Sequence, residues 1–93
     1  MTNLKSIKQL QDDLQRALNA DAIRDYNMFG NPHSVYRPYI IISLHPHTSM
    51  GTKQKLVEYI YTSYENIHFV ELVNQNTCIC VDYERDCQDE QHR

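Results

Sequence analysis

The run Tyr39-Ile40-Ile41-Ile42-Ser43-Leu44, fenced by Pro38 and Pro46, constrains the fold more than any other stretch of the chain. Three consecutive β-branched residues favour an extended backbone, where they pack well, over a helix that restricts their side-chain torsions. The pattern predicts a strand from Val35 to Leu44. Pro38 has no backbone donor, so this end belongs at a sheet edge or at a strand start. Unbroken isoleucines also imply that both faces of the sheet are at least partly covered.

The segments on either side read as alternating helix and strand. Leu4, Ile7, Leu10, Leu14, Ala17 and Leu18 recur at three- and four-residue steps, which predicts an amphipathic helix from about Asn3 to about Asn27. Ser6 and Gln9 have capping-box spacing, and Asp12 sits four residues before Arg16 in the favourable orientation on the wet side. Asp21 offers an alternative, as the cap of a short second helix. Gly30 and Pro32 stop the segment, so Met28 to Ser34 is expected to be a loop. After the strand, Ser49 or Thr52 caps a second helix to about Tyr64, with Leu56, Val57, Ile60, Tyr64 and Ile67 facing inward. His68–Asn74 and Thr77–Glu84 form a hairpin about a two-residue Gln75-Asn76 turn. That register sets Val70 opposite Val81 and Leu72 opposite Ile79, with Phe69, Glu71, Val73, Cys78, Cys80 and Asp82 on the other face. A three-residue loop would reverse the parity of one strand.

The expected order is α-β-α-β-β, an α+β class. A right-handed strand–helix–strand crossover makes the first two strands parallel and the third antiparallel to them. The result is a three-stranded mixed sheet with both helices on one face, a reduced ferredoxin-like two-layer sandwich. One domain over residues 1–85 and a flexible polar tail over 86–93 account for the whole chain.

Bulk properties narrow the function. The net charge is −3, with Lys and Arg scattered, so the basic stripe of a nucleic-acid binder is missing. No apolar run resembles a secretion signal or a membrane span, so no membrane partner is expected. Cys78, Cys80 and Cys87 are an odd number without a regular framework, which reads as reduced thiols in a cytoplasmic protein. Asp12 and Asp13 point in different directions on a helix and read as a solvated face. His33 and His68 read as surface or sheet-end histidines.

Reactive side chains converge only at Ser43-Leu-His-Pro-His-Thr-Ser49. This segment resembles the first motif of the polymerase and histidinol phosphatase family of metal-dependent phosphoesterases, in which a barrel strand ends in His-x-His. The resemblance implies that His45 and His47 are metal ligands. It covers about seven residues, and a closed barrel of the related kind takes about 250 residues. A chain of this length is not expected to close one. A smaller site from His45, His47, Cys78 and Cys80 has a zinc-like ligand set, but sulfurs two apart on a strand lie about 6.6 Å from each other. Ordinary free thiols are the simpler reading. No nucleophile elbow, P-loop or HExxH pattern is present, so neither an enzyme nor a bound cofactor or metal is expected.

The sheet face away from the helices is the better candidate. Tyr39, Ile41, Phe69 and Val73 are expected on it, a patch that a small protein does not usually leave bare. The expected function is a non-enzymatic interaction module (adaptor, inhibitor or assembly component, of the kind that phages and mobile elements encode) that acts through this face as a homodimer. Another protein is the second expectation, and nucleic-acid bases stacking on Tyr39 and Phe69 are the third. The rival class is a small metal-binding or hydrolytic protein centred on His45 and His47.

Overall fold

The described residues form six elements in the order α1 (Ile7–Asn19), β1 (Asp25–Phe29), β2 (Tyr39–Ser43), α2 (Met50–Ser63), β3 (Ile67–Val73) and β4 (Cys78–Tyr83). These come from a computed structural model of the chain, which describes residues 3–30 and 36–84. The polar tail over 86–93, Cys87, His33 and the Val35 start of the first expected strand lie outside the described residues. The four strands form one sheet in the order β1-β2-β4-β3.

The α+β class holds, but the sheet has four strands where three are expected. The extra strand, β1, comes from the end of the long first helix and the start of the loop after it. Helix α1 stops at Asn19 because the chain closes a Schellman motif there. Asp21 takes a left-handed φ of 61°, its amide donates to the Leu18 carbonyl at 3.0 Å, and the Ala22 amide donates to the Ala17 carbonyl at 2.8 Å. An aspartate occupies the position that glycine usually fills, so the stop is hidden in sequence. At the other end, Ser6 caps the helix with Gln9 in the expected reciprocal box. Ser49 performs the same role for α2, accepting from the Thr52 amide at 3.2 Å.

Every pair of neighbouring strands is antiparallel, so the expected mixed sheet is corrected too. Strands β2 and β3 do run parallel, as the crossover requires, but β4 lies between them. Pro38 falls at a strand start and not at an edge, since β2 is central. The element order is therefore α-β-β twice over. The inner strands of the two halves pair with Ile41 opposite Cys80.

The connection from β1 to β2 depends on Gly30. Its φ is 143°, and a Cβ built there would lie 2.6 Å from the Pro38 Cβ. Only a residue without a side chain fits both the backbone and the space. The β3–β4 register is the expected one, with the ladder closing at Val73 and Cys78. The loop spans residues 74–77: Asn74, Gln75 and Asn76 have φ of 54°, 58° and 65°, and the Thr77 amide donates to the Asn74 carbonyl at 3.2 Å across Gln75 and Asn76.

That turn fixes the side-chain parity. Val70 pairs with Val81 and Leu72 with Ile79, while β2 aligns Ile40 with Val81 and Ile42 with Ile79. Ile40, Ile42, Ile79 and Val81 form the floor of the core, under Leu10 and Leu14 of α1 and Ile60 and Tyr64 at the end of α2. Each buried aliphatic side chain is worth about 1.5–3 kcal/mol relative to exposure. Both helices therefore serve one sheet face, and among the described residues no helix covers the other, although unbroken isoleucines imply cover on both.

Candidate functional site: the helix-free sheet face

The three strand registers place the side chains of the open face in rows. Phe29, Tyr39, Asp82 and Phe69 form one row, Asn27, Ile41, Cys80 and Glu71 the next, and Asp25, Ser43, Cys78 and Val73 the third. All four expected contact residues, Tyr39, Ile41, Phe69 and Val73, share this face. They do not make one continuous apolar block. Asp82 separates Tyr39 from Phe69, and Val73 lies at the far end beside Cys78.

Phe29 is an addition to the expected set, since the sequence predicts a loop over Met28 to Ser34 and the chain forms β1 through Phe29. Its ring stacks on Tyr39 with centroids 5.0 Å apart and planes 18° apart. Phe29, Tyr39 and Phe69 remain 43%, 39% and 37% exposed, while Ile41 and Val73 are half-buried. Phe69 also meets the His68 ring edge-on at 5.8 Å, where β3 carries a bulge.

The face has an acidic character. Asp25, Glu71 and Asp82 project from it, against Arg37, whose Nε donates to Asp82 Oδ1 at 2.7 Å. Burial pushes the Cys80 thiol above its ordinary value, and the carboxylates of Glu71 and Asp82 push in the same direction. A thiol held protonated is a poor nucleophile and a poor metal ligand. Cys78 has its sulfur 3.9 Å from the Ser43 hydroxyl, and both cysteines are free thiols.

The His-Pro-His segment takes a different geometry from the one its spacing suggests. Strand β2 ends at Ser43, and the Thr48 amide closes a turn on the His45 carbonyl at 3.0 Å. The alternation that would aim both imidazoles at one point is lost in that turn. His45 Nε2 instead lies 3.1 Å from the Asp21 carbonyl oxygen and 3.1 Å from Asp21 Oδ1. His47 stacks on His45 with centroids 5.3 Å apart. The end of β2 does lie beside the hairpin, through the Ser43–Cys78 pair. Among the described residues, however, no three His, Cys, Asp or Glu side chains group to hold a metal ion.

Asp13, expected with Asp12 on a solvated face, is instead the centre of a second cluster. Asp13 accepts from the Tyr64 hydroxyl at 2.5 Å, pairs with Arg16, and has Lys5 Nζ at 3.5 Å. The ion pair of Arg16 is thus with Asp13, three residues away, and not with Asp12. Lys5 Nζ also donates to the Tyr59 hydroxyl at 3.4 Å, and the backbone of Lys5 bonds to Ser63 and Glu65. Burial raises the Tyr64 phenol to about 12, helped by the nearby Tyr59 charge, whereas the Lys5 hydrogen bond and charge lower Tyr59. The cluster clips the N-terminal segment and α1 to the end of α2.

Below the clip, an apolar cleft of about 120 Å3, partly open to solvent, lies between the two helices above Ile42 and Ile79. Among the described residues no helix is long and apolar enough to cross a membrane. Comparison with protein families, with curated proteins and with solved structures finds no match to this chain.

Proposed function

We propose that this chain is a non-enzymatic protein-interaction module that docks its partner on the open sheet face. The observation that carries the reading is the helix-free face itself. It keeps the stacked Phe29–Tyr39 pair and Phe69 more than one-third exposed around a half-buried Ile41. Aromatic side chains flanking an aliphatic centre are the usual anchors of a protein interface.

Charge and size describe the partner. Four strands about 4.8 Å apart, each about five residues long at about 3.3 Å rise, present a projected face of roughly 300 Å2. Stable complexes commonly bury about 800 Å2 per partner, so a contact limited to this face is transient. Asp25, Glu71 and Asp82 favour a partner whose apolar residues are bordered by Lys or Arg. A second copy, the occupant expected from sequence, brings the same acidic margin against itself. A basic heterologous partner is the better fit, and the homodimer becomes the competing outcome of the test.

The test compares the wild-type chain with Ile41→Glu and Phe69→Glu, each checked for unchanged circular dichroism. Light scattering at about 0.1 mM reports self-association. Affinity capture with all three proteins then reports partners. Proteins held by the wild type and lost from both variants support the proposal. Dimerisation of the wild type that both variants abolish replaces the heterologous partner with a second copy. A monomer whose captured proteins are the same in all three samples rules the face out.

A further inference from the structure

We infer that the outer edge of β3 is a self-association site. It takes the β3 of a second copy, antiparallel about a two-fold axis at Glu71, and joins the two sheets into one of eight strands. The contact runs through the sheet edge and does not depend on what docks on the open face.

The sheet has two outer strands, β1 and β3, and they differ in kind. Strand β1 exposes every residue except the half-buried Tyr26 and carries Asp25 and Asn27. Strand β3 is the longest of the four, and only His68 and Glu71 along it are polar. Its core-facing residues Val70 and Leu72 remain half-buried, although Val81 and Ile79 beside them in the sheet are sealed at 0% exposure. The helices therefore stop short of covering this edge. Among the described residues no other segment hydrogen-bonds through its backbone to the outer side of β3. Native sheets guard such an edge with lysine, proline or a bulge. Here the bulge is confined to Ile67–Phe69, which leaves Phe69–Val73 regular and free of both residue types.

Self-complementarity selects a second copy as the occupant. In an antiparallel pair about a two-fold axis normal to the sheet, opposed residues lie on the same face. Only an axis at Glu71 uses the whole regular stretch from Phe69 to Val73. It sets Val70 opposite the partner's Leu72 on the helix side and Phe69 opposite the partner's Val73 on the open side, each contact occurring twice. The one unfavourable contact is Glu71 against its own copy. Cross-strand apolar pairs and like-charge pairs are individually of similar size, so four against one leaves a net gain. The two open faces then lie side by side in one plane, where their acidic margins do not oppose each other. The projected docking area grows from roughly 300 Å2 to roughly 600 Å2, nearer to what a stable complex buries.

Sedimentation equilibrium of the chain at pH 7, up to about 1 mM, is expected to show monomer and dimer with a Kd of about 0.1 mM, as suits an interface below the standard size. Glu71→Gln removes the like-charge contact and should tighten the dimer about twofold to fivefold. A mixture of wild type and Glu71→Lys should form a heterodimer about fivefold tighter than either homodimer, since only the mixed pair sets opposite charges across the axis. Val73→Lys should weaken the dimer about tenfold, whereas Ile41→Glu, two strands away on the open face, should leave it within about twofold. A chain that stays monomeric at about 1 mM overturns the inference. So does a dimer indifferent both to Glu71→Gln and to mixing with Glu71→Lys. A dimer lost in Ile41→Glu but kept in Val73→Lys puts the contact on the open face and overturns it as well. Partner capture by the open face is measured separately, so that reading stands or falls without this one.

Discussion

Replacing Tyr64 by Phe tests the most specific long-range contact in the molecule. The hydroxyl is on a residue only 3% exposed and donates to a carboxylate oxygen 2.5 Å away. A hydrogen bond to a charged group is worth about 1.5–3 kcal/mol when its partner is deprived of water. Asp13 is not fully deprived. Its side chain is 22% exposed and keeps Arg16 and Lys5, so the loss belongs at the low end, about 1.5 kcal/mol. Phe preserves the ring, so the void left by the missing oxygen adds little. In a domain of this size each kcal/mol moves the melting temperature by about 4–8 °C, which gives a drop of roughly 6–12 °C.

The pH dependence of the same variant has a definite sign. The folded state holds the Tyr64 phenol at about 12, above the ordinary 10.0, so it favours the neutral form. Its contribution is complete below pH 10 and is lost as the pH rises from there through about 12. Urea unfolding of wild type and Tyr64→Phe from pH 7 to 12 should show a constant gap up to about pH 10 that narrows above it. Tyr59 shifts the other way, so Tyr59→Phe should not reproduce the narrowing. Equal stability of wild type and Tyr64→Phe at pH 7 refutes the clip. A gap unchanged at pH 12 refutes the burial of the phenol.

Other positions have equally definite outcomes. Gly30→Ala places a Cβ 2.6 Å from that of Pro38 on a backbone with φ of 143°, and should cost about 2 kcal/mol or more in urea unfolding. Gln75→Asn together with Asn76→Gly suits the left-handed turn better than the natural pair. It should stabilise the fold by about 1 kcal/mol, read as a higher urea midpoint at unchanged slope. Ile41→Glu sits on a half-exposed position and should lower stability by about 1 kcal/mol or less while removing partner capture. A folding defect larger than that places Ile41 in the core and not on a docking face.

What could be read from the chain was whatever depends on local periodicity and chemistry. Alternation along Tyr39–Leu44 and across the hairpin placed Ile40, Ile42, Ile79 and Val81 on one face and Tyr39, Ile41, Phe69 and Val73 on the other, because side-chain direction repeats every two residues. The capping pair Ser6 and Gln9 was legible, although the apolar Leu4 drew the expected start of α1 back to about Asn3, and Ser49 was one of two candidate caps for α2 with Thr52. The turn at Gln75-Asn76 then fixed the register.

Tertiary structure decided the rest. Strand β1 has no hydrophobic alternation of its own to announce it. It is an edge strand with only Tyr26 half-buried, and it gains its order by pairing with β2 and by the Tyr26 hydroxyl bond to Gln15. The helix stop at Asp21 depends on carbonyls of α1 that a composition rule does not see. The neutral-looking Asp13 becomes the centre of a clip only because the end of α2 is brought to it from 51 residues away. The His-Pro-His segment loses its convergence because a turn, not a strand, carries it. Local sequence sets which way a side chain points, but only the packed chain brings distant residues into contact.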